Sequence, residues 1–207
     1  MTIKTFNINT DKTAFVRAYL PDSIAGLPFC EKRPAVLIFP GGGYEYCSDR
    51  EGEPIALQYL ALGYAAFVVT YSCNERFPEP LMDAAYIFYK IRMRAEEFKI
   101  DPQKMAVLGC SAGGHLAGCL ATMWSDIALT KTIGCEPEDL RPNAAILCYP
   151  VISGVTAPHE GSFKVLLGED ASRSDLSRLS LENRVTPKTP PVFIWATAND
   201  DCVSAHN

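Results

Sequence analysis

Lys104-Met105-Ala106-Val107-Leu108-Gly109-Cys110-Ser111-Ala112-Gly113-Gly114-His115-Leu116-Ala117 is the stretch on which the reading of this chain turns. An apolar run of strand length ends at Leu108, and a helix-like stretch begins at Gly114. Between them stands G-x-S-x-G. A serine at a sharp strand-to-helix turn sits on strained backbone, and a side chain two residues before or after it would block the approach of strand and helix. Glycine at 109 and 113 is what that geometry requires. The bare motif is weak text, and its meaning comes from the buried strand before it and the helix after it. The stretch reads as a nucleophile elbow, with Ser111 as nucleophile and the chain as a serine hydrolase. Cys110, beside the serine, is expected to point the other way.

Working outward, short β-branched or aromatic runs alternate with longer segments of helical period, which is the pattern of a parallel sheet covered by helices on both faces. The fold class is α/β. Strands are expected at Val16 to Leu20, Ala35 to Phe39, Ala65 to Tyr71, Met105 to Leu108, Ala144 to Tyr149 and Val192 to Ala196. The last five are almost continuously apolar, as doubly covered strands are, whereas Thr13 to Leu20 alternates and suits an antiparallel edge. Glu79 to Phe98 carries apolar residues at 81, 84, 85, 88, 91, 95 and 98 and reads as one amphipathic helix, with Pro80 in its first turn. From Ser153 to Arg184 the period breaks up, and this irregular insertion, near 153–184 of a single domain spanning 1–207, is expected to shape a pocket.

Composition narrows the partners. Nineteen basic against 24 acidic residues give a net charge of −5, with no basic run to meet a phosphate backbone, so nucleic acid is not an expected partner. The first residues lack the apolar core of a signal peptide, and no apolar stretch approaches bilayer length, so the expectation is a cytoplasmic protein with no membrane partner. A homo-oligomer stays open. The eight cysteines form no C-x-x-C pair and no cluster at metal-ligand spacing, so no metal and no disulfide framework is expected.

A serine hydroxyl needs a base to take its proton, and the tetrahedral oxyanion needs donors already in place. Pro40-Gly41-Gly42-Gly43-Tyr44 follows the strand at 35–39, and Gly41 and Gly42 with Ala112 are the candidate oxyanion N–H groups. Asn199-Asp200-Asp201 follows the last expected strand, where the acid of a Ser, Asp, His order belongs, and Asp200 is the candidate. Tyr44 and His159 are candidate substrate-binding residues. The base is the gap: of three histidines, none lies well downstream of Asp200. His115 stands one turn along the helix from Ser111 and suits packing. His159 lies in the irregular insertion, and His206 has no evident route to Ser111.

These residues resemble prokaryotic esterase/lipase α/β-hydrolases of the acetyl-esterase and acetyl-xylan-esterase-like type, related to the feruloyl and acetyl xylan esterases. The resemblance rests on Pro40 to Tyr44, Arg50-Glu51-Gly52-Glu53-Pro54, Phe77-Pro78 with Asp83, Ile100-Asp101-Pro102 and the elbow, then Tyr149 to Ser153, His159 to Ser162, Leu181-Glu182-Asn183 and Thr189 to Phe193. It implies an α/β-hydrolase fold, short acyl esters such as acetyl groups on sugars as substrates, and no cofactor. It also implies Ser111 as nucleophile, Gly41, Gly42 and Ala112 as oxyanion donors, and Asp200 as acid. Ala198-Asn199-Asp200-Asp201-Cys202-Val203-Ser204 departs from that family's A-D-D-x-x-V-P-like segment at the first aspartate and the proline. The family's histidine would follow on a strand beyond Asn207, so a final strand and helix are expected to be missing, leaving the strand at 192 bare and the chain poorly soluble. Three readings stand: a carboxylic ester hydrolase lacking its C-terminal part, a catalytically impaired protein that keeps a ligand pocket, and an amidase or peptidase on the same fold.

Overall fold

The apolar run before the elbow lies inside a strand spanning Ile100–Cys110, in a computed structural model that describes residues 1–7, 14–23, 30 and 32–207. In chain order the strands are β1 (Thr2–Asn7), β2 (Phe15–Leu20), β3 (Arg33–Phe39), β4 (Ala65–Thr70), β5 (Ile100–Cys110), β6 (Ala144–Cys148) and β7 (Val192–Trp195). They form one sheet in the order β1-β2-β4-β3-β5-β6-β7. β4, β3, β5, β6 and β7 run parallel, while β1 and β2 pair antiparallel on one side.

Alternation along the strands assigns the two faces. Ala35, Leu37 and Phe39 of β3 enter one buried cluster with Phe67 of β4 and Val107 of β5. Val36 and Ile38 enter a second cluster with Ala66, Leu108 and Cys110. A period of two places successive side chains on opposite faces. The first face is covered by α2 (Glu79–Met93) and α4 (Ala112–Met123), through Leu81, Phe88, Leu116 and Leu120. The second is covered by α1 (Glu53–Ala61), through Ala56 and its half-buried neighbours. Each fully buried Phe, Leu or Ile contributes roughly 1.5–3 kcal/mol relative to exposure.

Two expectations need correction. The stretch at 79–98 is not one helix: α2 ends at Met93 and the short α3 (Ala95–Phe98) follows a break at Arg94. The period continues across the break because Ala95 and Phe98 stay buried, which is why it suggested one element. The edge on the antiparallel side is β1, which sequence reading missed; its residues are largely exposed and carry little apolar signal. Thr13, assigned to the alternating stretch, lies outside the described residues. The irregular stretch at 153–184 contains α7 (Glu160–Leu167) and α8 (Arg173–Leu179). Between α4 and β6 run α5 (Ile127–Ile133) and α6 (Pro137–Leu140). β7 lies at the other edge of the sheet with Phe193 62% and Ile194 54% exposed.

Candidate active site

Ser111 stands between β5 and α4 with φ 54° and ψ −120°, a conformation sparsely populated for any residue with a side chain. Backbone of this kind costs on the order of 1–3 kcal/mol and persists only where its surroundings fix it. Here they do: Ser111 N–H donates to the Cys148 carbonyl at 3.0 Å, and the Ser111 carbonyl accepts from the N–H groups of His115 and Val151, each at 3.1 Å. The glycines make room for the turn. A Cβ on Gly109 would lie 2.0 Å from the Gly113 carbonyl oxygen, and one on Gly113 would lie 2.1 Å from that of Phe39. Cys110 is buried on the α1 face of the sheet.

Ser111 opens onto a cavity of about 380 Å³ shared with Gly42, Gly43, His159, Asp200 and Cys202. The parallel strands bring these together, since β3, β5 and β7 all end on this side and the loops after them carry the glycines, the serine and the aspartate. Ala112 N–H belongs to the first turn of α4, whose donors have no intrahelical partner. Gly41 differs from expectation: its N–H already donates to Glu51 Oε2 at 2.7 Å. Gly42 and Gly43, not Gly41, border the cavity. Tyr44 also departs. Following Gly43 with φ 66°, it turns into the core, is 1% exposed, and donates its hydroxyl to His115 Nδ1 at 2.7 Å. Tyr46, which sequence reading did not single out, borders the cavity instead.

Asp200 reaches the cavity from the loop after β7. Its Oδ1 accepts from the N–H groups of Cys202 at 2.9 Å and Val203 at 2.8 Å. That loop is tied down by Asn207, whose Oδ1 accepts from Ile152 N–H at 2.6 Å and whose Nδ2 donates to the Ser153 carbonyl at 2.8 Å. No local pattern announces this pairing across 55 residues.

The histidines separate by what their nitrogens hold. His115 is buried, and Leu179 C=O, 2.8 Å from Nε2, can only accept; Nε2 therefore carries the proton and Nδ1 accepts from Tyr44. Burial lowers its pKa to about 4, partly opposed by the bond to Leu179. His159 caps α7: its Nδ1 accepts from Ser162 N–H at 3.3 Å and lies 2.9 Å from Ser162 Oγ. With Nδ1 so engaged the neutral ring carries its proton on Nε2, which lies 3.8 Å from Cys202 Sγ in the cavity. His159 thus offers a donor to the cavity rather than a lone pair. His206 is exposed and does not border the cavity. Among the described residues no cluster of three or more His, Cys, Asp or Glu side chains is placed to hold a metal.

A mostly parallel sheet with helices on both faces and a strained serine at the strand-to-helix turn after β5 defines an α/β-hydrolase. The sequence profile of the family described as BD-FAE matches residues 27–207, and the chain belongs to that family. It is 37% identical over 183 residues to endo-1,4-beta-xylanase B of Butyrivibrio fibrisolvens, covering 85% of this chain and 28% of that protein. It is 32% identical over 206 residues to the acetylxylan esterase of Xylanibacter ruminicola, covering 95% of this chain and 38% of that protein. The chain therefore spans about a third of the length of these curated relatives. Among solved structures, the acetyl ester-xyloside bifunctional hydrolase of Caldicellulosiruptor lactoaceticus superposes with a TM-score of 0.81 at 35% identity, covering 96% of this chain and 71% of that one. The carboxylesterase Cest-2923 of Lactobacillus plantarum gives 0.81 at 27% identity, with 99% and 74% covered.

Proposed function

We propose that this chain is the nucleophile-bearing part of a serine carboxylic ester hydrolase that cleaves short acyl esters, acetyl groups on sugars in particular, through an acyl-enzyme on Ser111. The carrying observation is Ser111 on its strained turn, facing one cavity with Gly42, Asp200 and His159. The acetylxylan esterase and the acetyl ester-xyloside hydrolase among its relatives support the acetyl and sugar halves of this reading. On it, Ser111 Oγ attacks the ester carbonyl, and the oxygen that gains charge is received by the N–H groups of Ala112 and Gly42. Gly41 takes no direct part, because its N–H is held by Glu51. The alcohol leaves, and water then releases the acid from Ser111.

The base comes from outside the 207 residues. What supports this is the state of the three histidines: His115 has both nitrogens engaged, His159 presents N–H, and His206 is off the cavity. Asp200 is the acid that orients that base, and His159 binds substrate. Eight free cysteines fit a reducing cytoplasm, and among the described residues no helix is long and apolar enough to cross a membrane.

The test is hydrolysis of p-nitrophenyl acetate and of acetylated xylo-oligosaccharide by the full protein and by this chain, each beside Ser111→Ala. The full protein is expected to turn over both substrates, with loss of Ser111 lowering the rate by several orders of magnitude, and this chain is expected to sit near the variant's background. A full protein as slow as its Ser111→Ala variant rejects the esterase reading and leaves a ligand pocket without chemistry. Cleavage of the acetanilide analogue at rates matching the ester would move the protein to the amidases.

A further inference from the structure

The Pro40–Gly41 peptide is gripped at both ends by side chains from different parts of the chain. Its carbonyl accepts from the Tyr71 hydroxyl at 2.7 Å, and its N–H donates to Glu51 Oε2 at 2.7 Å. Glu51 is itself anchored, since Oε1 accepts from the Tyr149 hydroxyl at 2.9 Å. Burial raises the pKa of both tyrosines, Tyr71 well above the ordinary value, so both remain O–H donors. The carboxylate lies against the nucleophile's turn: a Cβ built on Gly41 would meet Glu51 Oε2 at 2.8 Å and Ser111 Cβ at 3.0 Å. Fixing one peptide plane fixes where the next begins, and the next N–H along the chain is that of Gly42, at the cavity wall. The segment closes behind the carboxylate, with Ser48 N–H donating to the Gly41 carbonyl at 2.9 Å and Glu51 N–H to the Ser48 carbonyl at 3.1 Å.

We propose that Glu51 is a positioning residue: through Gly41 N–H and the Tyr149 hydroxyl it holds the 40–43 loop in the orientation that aims Gly42 N–H at the oxyanion formed on Ser111. The proposal rests on the ester hydrolase reading for its purpose, but the contact itself is testable without turnover. Loss of one preorganised oxyanion donor lowers kcat by about 100- to 1,000-fold. Glu51 and Tyr149 also border the cavity, so the two kinetic constants separate the roles: a residue that acts through the loop lowers kcat on removal and leaves KM within about threefold, whereas a direct substrate contact raises KM. A glutamine at 51 restores the geometry without the charge, since its carbonyl can accept from Gly41 N–H while its amide donates to the Tyr149 oxygen.

The experiment measures Glu51→Ala, Glu51→Gln and Tyr149→Phe in two ways. In ¹H–¹⁵N spectra of the full protein, Gly41 should show a downfield, exchange-protected amide that moves upfield and loses protection in Glu51→Ala. It should be largely kept in Glu51→Gln, while Gly134 N–H, bonded to the Thr130 carbonyl at 2.8 Å, serves as the unaffected reference. In the full protein, kcat on p-nitrophenyl acetate should fall about 100-fold or more in Glu51→Ala, return to within about tenfold in Glu51→Gln, and fall by an intermediate amount in Tyr149→Phe. An active enzyme whose kcat is indifferent to Glu51→Ala, or a Gly41 amide that does not respond, overturns the positioning role. Wild-type protein that hydrolyses no ester while its Gly41 amide still answers to Glu51 instead overturns the proposed function. If Glu51→Ala does not fold, Tyr149→Phe and Glu51→Gln decide the matter: wild-type kcat in Tyr149→Phe together with an unprotected Gly41 amide in Glu51→Gln overturns the proposal.

Discussion

Replacing Gly113 by alanine would put a carbon 2.1 Å from the Phe39 carbonyl oxygen and 2.4 Å from that of Pro40. Both oxygens belong to backbone at the end of β3, so neither can swing aside as the tip of a long side chain can. A carbon settles against a carbonyl oxygen at about 3.3 Å or more, so α4 would have to withdraw from the sheet by about 1 Å. That withdrawal opens the packing of Ala112, Leu116, Ala117 and Leu120, all buried against the strands. Small-to-large changes in a packed interior cost typically 1–3 kcal/mol, and an obstacle made of backbone places this one at the upper end, about 3 kcal/mol. For a chain of this length each kcal/mol lowers Tm by about 2–4 °C, so Gly113→Ala should melt about 6–12 °C below wild type. Thermal unfolding followed by far-ultraviolet circular dichroism measures it. Gly134→Ala supplies the comparison, because a Cβ there meets nothing within 4 Å and the cost is that of left-handed backbone at φ 77° alone, about 1–2 kcal/mol. A Gly113→Ala protein within about 2 °C of wild type, or one that outlasts Gly134→Ala, would refute the close-approach account of the elbow.

His115 ties stability to pH. Its folded pKa of about 4 lies below the ordinary 6.5, so the unfolded chain binds the extra proton between these values; stability from this residue is complete above pH 6.5 and is lost as pH falls toward 4, by about 3 kcal/mol in all. Urea unfolding from pH 7 to 4 should show that slope, and in His115→Gln the slope should flatten by that amount. His159→Asn keeps a side chain that can cap α7 but removes the Nε2 donor, so its Tm should stay within about 2 °C of wild type while KM for acetylated substrate in the full protein rises about three- to tenfold. His159→Ala should show the KM rise together with a Tm lower by about 2–4 °C, and equal KM values across the three proteins would remove His159 from the substrate site. β7 presents Phe193 and Ile194 at the sheet edge, so this chain should self-associate at micromolar concentration and Phe193→Lys should suppress it; a monodisperse wild-type monomer in sedimentation would contradict this.

The parts of this molecule that were legible in the sequence are those whose cause is local. Strand, turn and helix around Ser111 are specified by residues within a dozen positions, so apolar run, glycine spacing and small-residue helix point the same way. The strands at 35, 65, 105 and 144 were found because burial leaves an uninterrupted apolar run, and β7 at 192 carries the same run although its four residues are exposed at the sheet edge, whereas exposed β1 leaves none. Tyr44 and Gly41 were misjudged for a different reason. Tyr44 directly follows the glycine loop, but the positive φ at 43 and 44 turns it inward toward His115, a partner 71 residues away. Gly41 has the right residue type in the right loop, and only the carboxylate ten residues on shows that its N–H is taken.

The proposal that the base comes from outside these residues rests on the donors and acceptors around Ser111 more than on the count of histidines. At the cavity the lone pair of His159 Nδ1 is engaged by Ser162 N–H, and behind it the N–H of Gly41 is engaged by Glu51. Away from it, His115 has a partner at each nitrogen. Glu45, Glu51 and Asp200 bring carboxylates to the cavity; on the proposed reading the oxyanion itself meets a set of donors, Gly42 N–H, Ala112 N–H and His159 Nε2–H. Such a set stabilises negative charge once it has formed but does nothing to remove the proton from Ser111. Asp200 has its Oδ1 held by two backbone N–H groups. A histidine arriving from outside these residues would need one nitrogen on Asp200 and a bare lone pair toward Ser111. That arrangement predicts that restoring the base raises kcat steeply without any change in the donors, so Glu51→Ala and loss of the base should each lower kcat on their own. Their combination should fall short of the product of the two, as it does for groups that act as one unit.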